Sequence, residues 1–169
     1  MAEITVIKGD ITKQDTDAIV NAANNSLLGG GGVDGAIHRA AGAELLEYNM
    51  KLGGCNTGEA KIAPGFNLKA KYIILTVGPI WEGGNENEPA LLANCYRNSL
   101  KLAVENKIKT ISFPSISTGV YSYPLAQAVK IAVSETKSFS DKNNSITKII
   151  FVCFDDTTFA VYHNALINL

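Results

Sequence analysis

The sequence predicts an α/β domain, with a largely parallel or mixed sheet and helices on both faces. Three observations carry this. Short β-branched or apolar runs alternate along the chain with longer stretches of helical periodicity. The run from Tyr72 to Val77 is almost continuously apolar, Thr76 apart, as in a strand covered on both faces. The chain has 169 residues, 46% hydrophobic and 18% charged, which suits one packed domain spanning residues 1–169 and argues against disorder.

In order, Glu3 to Lys8 alternates and is β-branched, so it is a strand, ended by Gly9-Asp10-Ile11-Thr12. Ala18-Ile19-Val20-Asn21 is a short buried strand that feeds a glycine-rich stretch, Asn21 to Gly42. From Asp34 the spacing becomes helical: Ile37, Ala40, Ala41 and Leu45 share a face, and Gly53-Gly54 stop the element. Ala60 to Ala63 reads as a short strand before the Pro64-Gly65 turn, and Gly83 to Glu88 as a polar loop after the Tyr72 strand. Pro89 suits a first helical position, followed by an apolar stripe of Leu91, Leu92, Cys95, Ser99, Leu102 and Ala103. Thr110 to Pro114 is a strand running into Ser115–Tyr121. Pro124 opens a helix, Ser138 to Ser145 reads as polar and flexible, Lys148 to Phe154 is the last strand, and Thr157 to Ile167 the last helix.

Composition narrows function. A net charge of −1 gives no general pull toward nucleic acid or anionic membranes. No apolar run reaches the roughly 20 residues of a membrane helix. Met1-Ala2-Glu3-Ile4 lacks the pattern of a signal peptide. Cys55, Cys95 and Cys153 are widely spaced and read as reduced thiols, so a cytoplasmic protein is expected. His38 and His163, the only histidines, have no cysteine or acid at ligand spacing, so no metal site is expected. No Gly-x-Ser-x-Gly elbow or Cys–His pair suggests a covalent nucleophile.

The informative stretch is Asn21 to Gly42. Its four-glycine run, Gly29 to Gly32, lets a ligand approach bare N–H groups. A helix start just beyond adds unpaired N–H groups and a partial positive charge, which suit an anion. Asp34 is then either the N-cap of that helix or a carboxylate working beside a bound ligand. Asn21 and Asn24 are either turn formers or amides that orient hydroxyls and water. Gly30-x-Gly32-x-x-Gly35 formally matches a dinucleotide fingerprint, but Asn21 to Gly29 separate it from its strand and no acidic strand end follows at the right distance. Ser115 to Val120 is either an ordinary loop or a second anion cradle of successive N–H groups around Gly119, with Tyr121 and Tyr123 packing or walling a ribose. Asp10 is a turn residue or an acceptor for an exocyclic amine. Phe154 is core or a ring that stacks on a base. In a parallel sheet, ligands bind beyond the carboxyl ends of the strands, where four segments fall: Gly9-Asp10-Ile11, Asn21 to Gly35, Ser115 to Tyr121, and Phe154-Asp155-Asp156.

Gly9-Asp10-Ile11-Thr12, Asn21-Ala22-Ala23-Asn24, Gly29 to Gly42, Thr57-Gly58-Glu59-Ala60, Val77-Gly78-Pro79 and Ser115 to Pro124 resemble, in order and spacing, the successive motifs of a macrodomain. The closer resemblance is to the MacroD-type subclass, which includes O-acetyl-ADP-ribose deacetylases. The resemblance implies a three-layer α/β/α sandwich with a central mixed, largely parallel sheet that binds ADP-ribose. It implies adenine near Asp10 and the Ile11 backbone, with Phe154 as the stacking ring. It implies pyrophosphate on Ser117, Thr118, Gly119, Val120 and Tyr121, and the distal ribose against Asn24, Gly32, Val33 and Asp34. Asp34 and Asn24 are implied as the catalytic pair.

On this reading water cleaves an ester of ADP-ribose, with no cofactor, and the partners are ADP-ribose, its esters and ADP-ribosylated proteins. A monomer suffices. The rival is a non-catalytic ADP-ribose reader, which needs the cradle but not Asp34. Two positions depart from the family pattern: Leu75 stands where His is usual before Thr-Val-Gly-Pro, and Ser122 replaces Gly between Tyr121 and Tyr123. The first lies in a strand and is expected to matter little; the second sits beside the distal ribose.

Overall fold

The computed structural model describes residues 1–169. The strands are β1 (Glu3–Lys8), β2 (Ala18–Ala22), β3 (Ala60–Pro64), β4 (Tyr72–Thr76), β5 (Thr110–Phe113) and β6 (Lys148–Cys153). The helices are α1 (Gly32–Ala41), α2 (Ala43–Leu52), α3 (Glu88–Glu105), α4 (Leu125–Lys142) and α5 (Asp156–Ile167), with a single 3-10 turn at Ile11–Lys13. The strands form one sheet in the order β1-β6-β5-β2-β4-β3. Every pairing is parallel except β3 with β4. The sheet is therefore mixed and largely parallel, as the alternation of elements predicts.

Alternation along each strand divides two apolar layers. Ile19, Ile73, Leu75, Ile150 and Val152 pack with Ile37, Ala41 and Leu45 of α1 and α2. Their neighbours Val20, Ile74, Ile149 and Phe151 pack with Leu92, Tyr96, Ala128 and Tyr162 of α3, α4 and α5. The apolar centre of β4 follows: Ile73, Ile74 and Leu75 are all fully buried, with successive residues facing opposite helix layers. Leu75 belongs to this core, opposite Asn21 in the register. The three cysteines are free and buried. Burial pushes the Cys95 thiol up to about 11 and Cys153 up to about 12, so neither is a thiolate at neutral pH. No helix is long and apolar enough to cross a membrane.

Two expectations need correcting. The helix expected from Asp34 to Leu52 is two helices, broken at Gly42, whose φ of 92° and ψ of 177° lie outside the helical region. A common apolar face concealed the break, because Ile37, Ala41 and Leu45 enter the same core. The stretch expected to be flexible from Ser138 is helical to Lys142. There α4 buries Thr136 and Ser140, and Ser140 Oγ accepts the Ala2 N–H at 2.7 Å.

The sheet opens where its winding reverses. From β2 the chain proceeds to β4 on one side; from β5 it proceeds to β6 on the other. Only Ala18 and Ile19 of β2 pair with β5, opposite Ile111 and Ser112. Beyond that point the two strands part, and a crevice forms past their carboxyl ends.

Candidate functional site

That crevice is a cleft of about 490 Å³. One lip follows β2 and contributes Asn24, Gly30, Gly31, Gly32, Val33 and Asp34. The other follows β5 and contributes Ser115, Ser117, Gly119, Val120 and Tyr121, while Gly78 comes from the end of β4. The sequence offered Gly78 only within the Val77-Gly78-Pro79 motif, with no binding role, while Ser115 opens the Ser115–Val120 stretch read there as a loop or an anion cradle.

Asp34 is not the cap of α1. Gly31 is the N-cap and Asp34 the third helical residue. The chain can enter the helix so abruptly because Gly29 and Gly32 hold φ values of 95° and 57°. No side chain caps this end, so first-turn N–H groups face the cleft without an internal acceptor. Asp34 is 6% exposed. Its Oδ1 accepts the Asn21 Nδ2–H at 2.8 Å, and the His38 Nε2 lies 3.4 Å from the same oxygen. The latter contact lacks hydrogen-bond geometry, and His38 Nε2 is buried without a partner. Asp34 Oδ2 passes beside bare Gly30, 3.3 Å from where a Cβ would stand. One oxygen is thus anchored from beneath and the other faces the cleft.

Asn21 is the residue whose role the sequence left open. It lies in β2, fully buried, on the same side of the strand as Ile19. A polar residue at an α1-facing position of an apolar strand was the signal. Replacing Asn21 by alanine leaves a buried carboxylate without its donor, and such a loss costs about 1–3 kcal/mol. Urea denaturation should show a midpoint lowered accordingly, and an unchanged midpoint would disprove the anchoring role.

Asn24 serves its own loop first. Its Oδ1 accepts from Ser26 Oγ at 2.7 Å and Leu27 N at 3.1 Å, and its Nδ2 donates to Gly29 O at 2.9 Å. The amide retains a second N–H on the wall of the cleft. Leu27, at φ 63°, is fastened in turn by Asn49 Nδ2, which donates to its carbonyl at 3.0 Å.

The opposite lip is a cradle of backbone donors. The N–H groups of Thr118, Gly119, Val120 and Tyr121 have no internal acceptor. Ser117 holds φ at 67°, and its Oγ is buried without a partner. Ser122 holds φ at 61°, a left-handed conformation in which glycine is at ease. This is the physical basis of the glycine usual there, and serine carries the strain in this chain.

The other two segments lie apart from the cleft lining. Asp10 caps the 3-10 turn, its Oδ1 accepting Thr12 N at 2.9 Å and Thr12 Oγ1 at 2.6 Å. The Thr12 hydroxyl chiefly holds its carboxyl below the usual range. Ile11 sends its side chain into the core, leaving only its backbone available. Phe154, just beyond β6, is 85% exposed. Both segments follow β1 and β6, so all four strand-end segments lie at one end of the sheet. No group of three or more His, Cys, Asp or Glu side chains gathers anywhere in the chain.

Known proteins align with this arrangement. The family model described as Macro domain matches residues 20–132. A Macro domain-containing protein of Chlorobaculum tepidum is 60% identical over 163 residues, covering 96% of this chain and 95% of its own. The solved Oceanobacillus iheyensis macrodomain with MES bound superposes with a TM-score of 0.93 at 46% identity, over 96% of this chain and 89% of that one. A variant of that macrodomain with ADPR gives the same TM-score and identity over 97% and 91% of the two chains. The Trypanosoma brucei macrodomain in complex with ADP-ribose gives 0.92 at 43% identity, over 96% of this chain and 68% of its own.

Proposed function

The chain belongs to the macrodomain family, and from that we propose that it binds ADP-ribose and hydrolyses its esters, as a MacroD-type enzyme. The substrates are acyl groups carried on the distal ribose: O-acetyl-ADP-ribose, and mono-ADP-ribose linked to Asp or Glu of proteins. The observation that carries the catalytic half is Asp34, a buried carboxylate anchored through Oδ1 with Oδ2 turned to the cleft. A reader of ADP-ribose has no use for an anchored acid at that place.

The order of strands supports the orientation. Along the sheet end come Asp10 and Phe154 after β1 and β6, the cradle after β5, then Asn24 and Asp34 after β2, and Gly78 after β4. Four strand spacings span about 19 Å, comparable to an extended adenosine diphosphoribose. Adenine lies at the Phe154 end, the pyrophosphate on N–H groups of residues 118–121, and the distal ribose against Gly32, Val33 and Asp34.

In the reaction, water adds to the ester carbonyl and the ribose hydroxyl leaves. Asp34 Oδ2 holds that water and takes up its proton, or passes it to a substrate phosphate. Asn24 offers its remaining N–H to the ribose hydroxyls. Asn21 keeps Asp34 from turning away.

The test is a panel of ester-linked substrates with direct measurement of ADP-ribose binding. Turnover of an acetyl or glutamyl ester is expected. Micromolar binding with no turnover on any ester leaves a reader module instead. Phe154→Ala tests the adenine end. Stacking of a base on an aromatic ring contributes about 1–3 kcal/mol, so ADP-ribose affinity should fall roughly five- to 150-fold by calorimetry. The melting temperature should hold, because the ring is in solvent. Unchanged affinity would place adenine elsewhere.

A further inference from the structure

Two acidic side chains are buried, Asp34 and Glu88, the latter 1% exposed. Glu88 forms no ion pair in the protein. Its carboxylate instead accepts backbone N–H groups from the loop joining β4 to α3. Glu82 and Gly84 donate to Oε2 at 2.8 and 2.9 Å, and Glu86 donates to Oε1 at 2.6 Å. Burial pushes this carboxyl up, but the converging N–H groups outweigh it and hold it at about 2. The loop is folded around one negative charge.

The far end of that loop is Trp81, the only tryptophan. Its backbone N–H donates to the Tyr121 carbonyl at 2.8 Å. Its indole packs on Tyr123 with ring centroids 4.8 Å apart. Behind it is Gly84, at φ 92°, where a Cβ would stand 2.8 Å from the indole Cη2. Tyr121 lines the cleft, and the Tyr123 N–H donates to the Ser117 carbonyl at 2.9 Å. The loop is joined to the anion cradle at both tyrosines. It also walls a second cavity of about 220 Å³ that shares Gly78 and Tyr121 with the cleft.

We propose that Glu88 is a positioning residue for the cleft: its carboxylate holds residues 81–87 so that Trp81 keeps Tyr121 and the cradle in ligand-ready geometry. Glu88 acts through Trp81 and touches no ligand. A cradle already ordered loses less freedom on binding, so Glu88 acts on affinity more than on the chemical step. This rests on the reading that the cleft takes ADP-ribose.

Trp81 reports its own position by fluorescence. In Glu88→Gln the shape is kept, but an amide N–H₂ replaces an acceptor among N–H donors. The emission of the ligand-free variant should move to longer wavelength. Its Kd for ADP-ribose and its KM should rise about tenfold, equivalent to about 1.4 kcal/mol, with kcat changed less than threefold. Gly84→Ala keeps the Glu88 carboxylate, strains one of its three backbone donors at φ 92° and crowds the indole directly. It should give a displaced emission and the same loss of affinity, and it decides the matter if Glu88→Gln does not fold. The proposal is overturned if a folded variant keeps wild-type emission, or if it binds ADP-ribose with the wild-type Kd. Failure of the wild type itself to bind ADP-ribose would sink the functional reading, while the ligand-free emission still decides whether Glu88 sets Trp81.

Discussion

Asp34→Ala should hydrolyse an ester of ADP-ribose 10²–10⁴-fold more slowly than the wild type, the span that a positioned base contributes. Its affinity for ADP-ribose should stay within a few-fold. The two quantities separate because of where the carboxylate sits. On the proposed reading, anion binding falls to the backbone N–H groups at residues 118–121 and at the uncapped start of α1, which have no internal acceptor, and the substitution removes none of them. Asp34 itself is held from below by Asn21 and contributes one oxygen to the cleft. Removing it also leaves the Asn21 amide without its acceptor, so some stability is lost, and the comparison belongs well below the variant's melting temperature. Single-turnover rates on an acetyl or glutamyl ester, beside calorimetric binding, give both numbers. A wild-type rate would remove Asp34 from the mechanism.

Gly78→Ala should lower ADP-ribose affinity at least tenfold without touching a catalytic group. A Cβ at Gly78 would stand 2.2 Å from Ser117 Oγ and 2.6 Å from Ile116 Cγ2. Ile116 is fully buried and cannot yield, and Ser117 already holds a left-handed backbone. The strand end and the loop must separate, and the N–H groups proposed to bind the ligand move with Ser117. Overpacking of this kind costs about 1–3 kcal/mol, which lowers the melting temperature of a domain this size by roughly 2–12 °C. Calorimetry and a thermal melt measure the two effects. Wild-type affinity would show that the cradle does not depend on the close approach at Gly78.

The apolar runs of β2, β4 and β6 are local, and they were legible because each strand must satisfy two helix layers at once. The glycines from Gly29 to Gly32 were legible as a helix entry, since Gly29 and Gly32 hold φ values that few other residues reach. The break at Gly42 was not legible, because both helices send apolar residues into one core and the periodicity runs straight through. Asp34 read equally well as a cap or as a working carboxylate, because capping depends on where the first helical turn begins. That start is set by the φ of Gly32 rather than by Asp34.

The chain by itself determined the fold class, the family resemblance, both lips of the cleft and two acids worth weighing, Asp10 and Asp34. These are properties of residues near one another in sequence. The tertiary structure alone decided what those residues face. It set Asn21 under Asp34 across 13 positions, Gly78 against Ser117, and Glu88 behind Trp81 and Tyr121. Such pairings arise where β2 and β5 part and their loops meet over the sheet end. A parallel sheet joins segments distant along the chain, so no local spacing encodes which of them will touch.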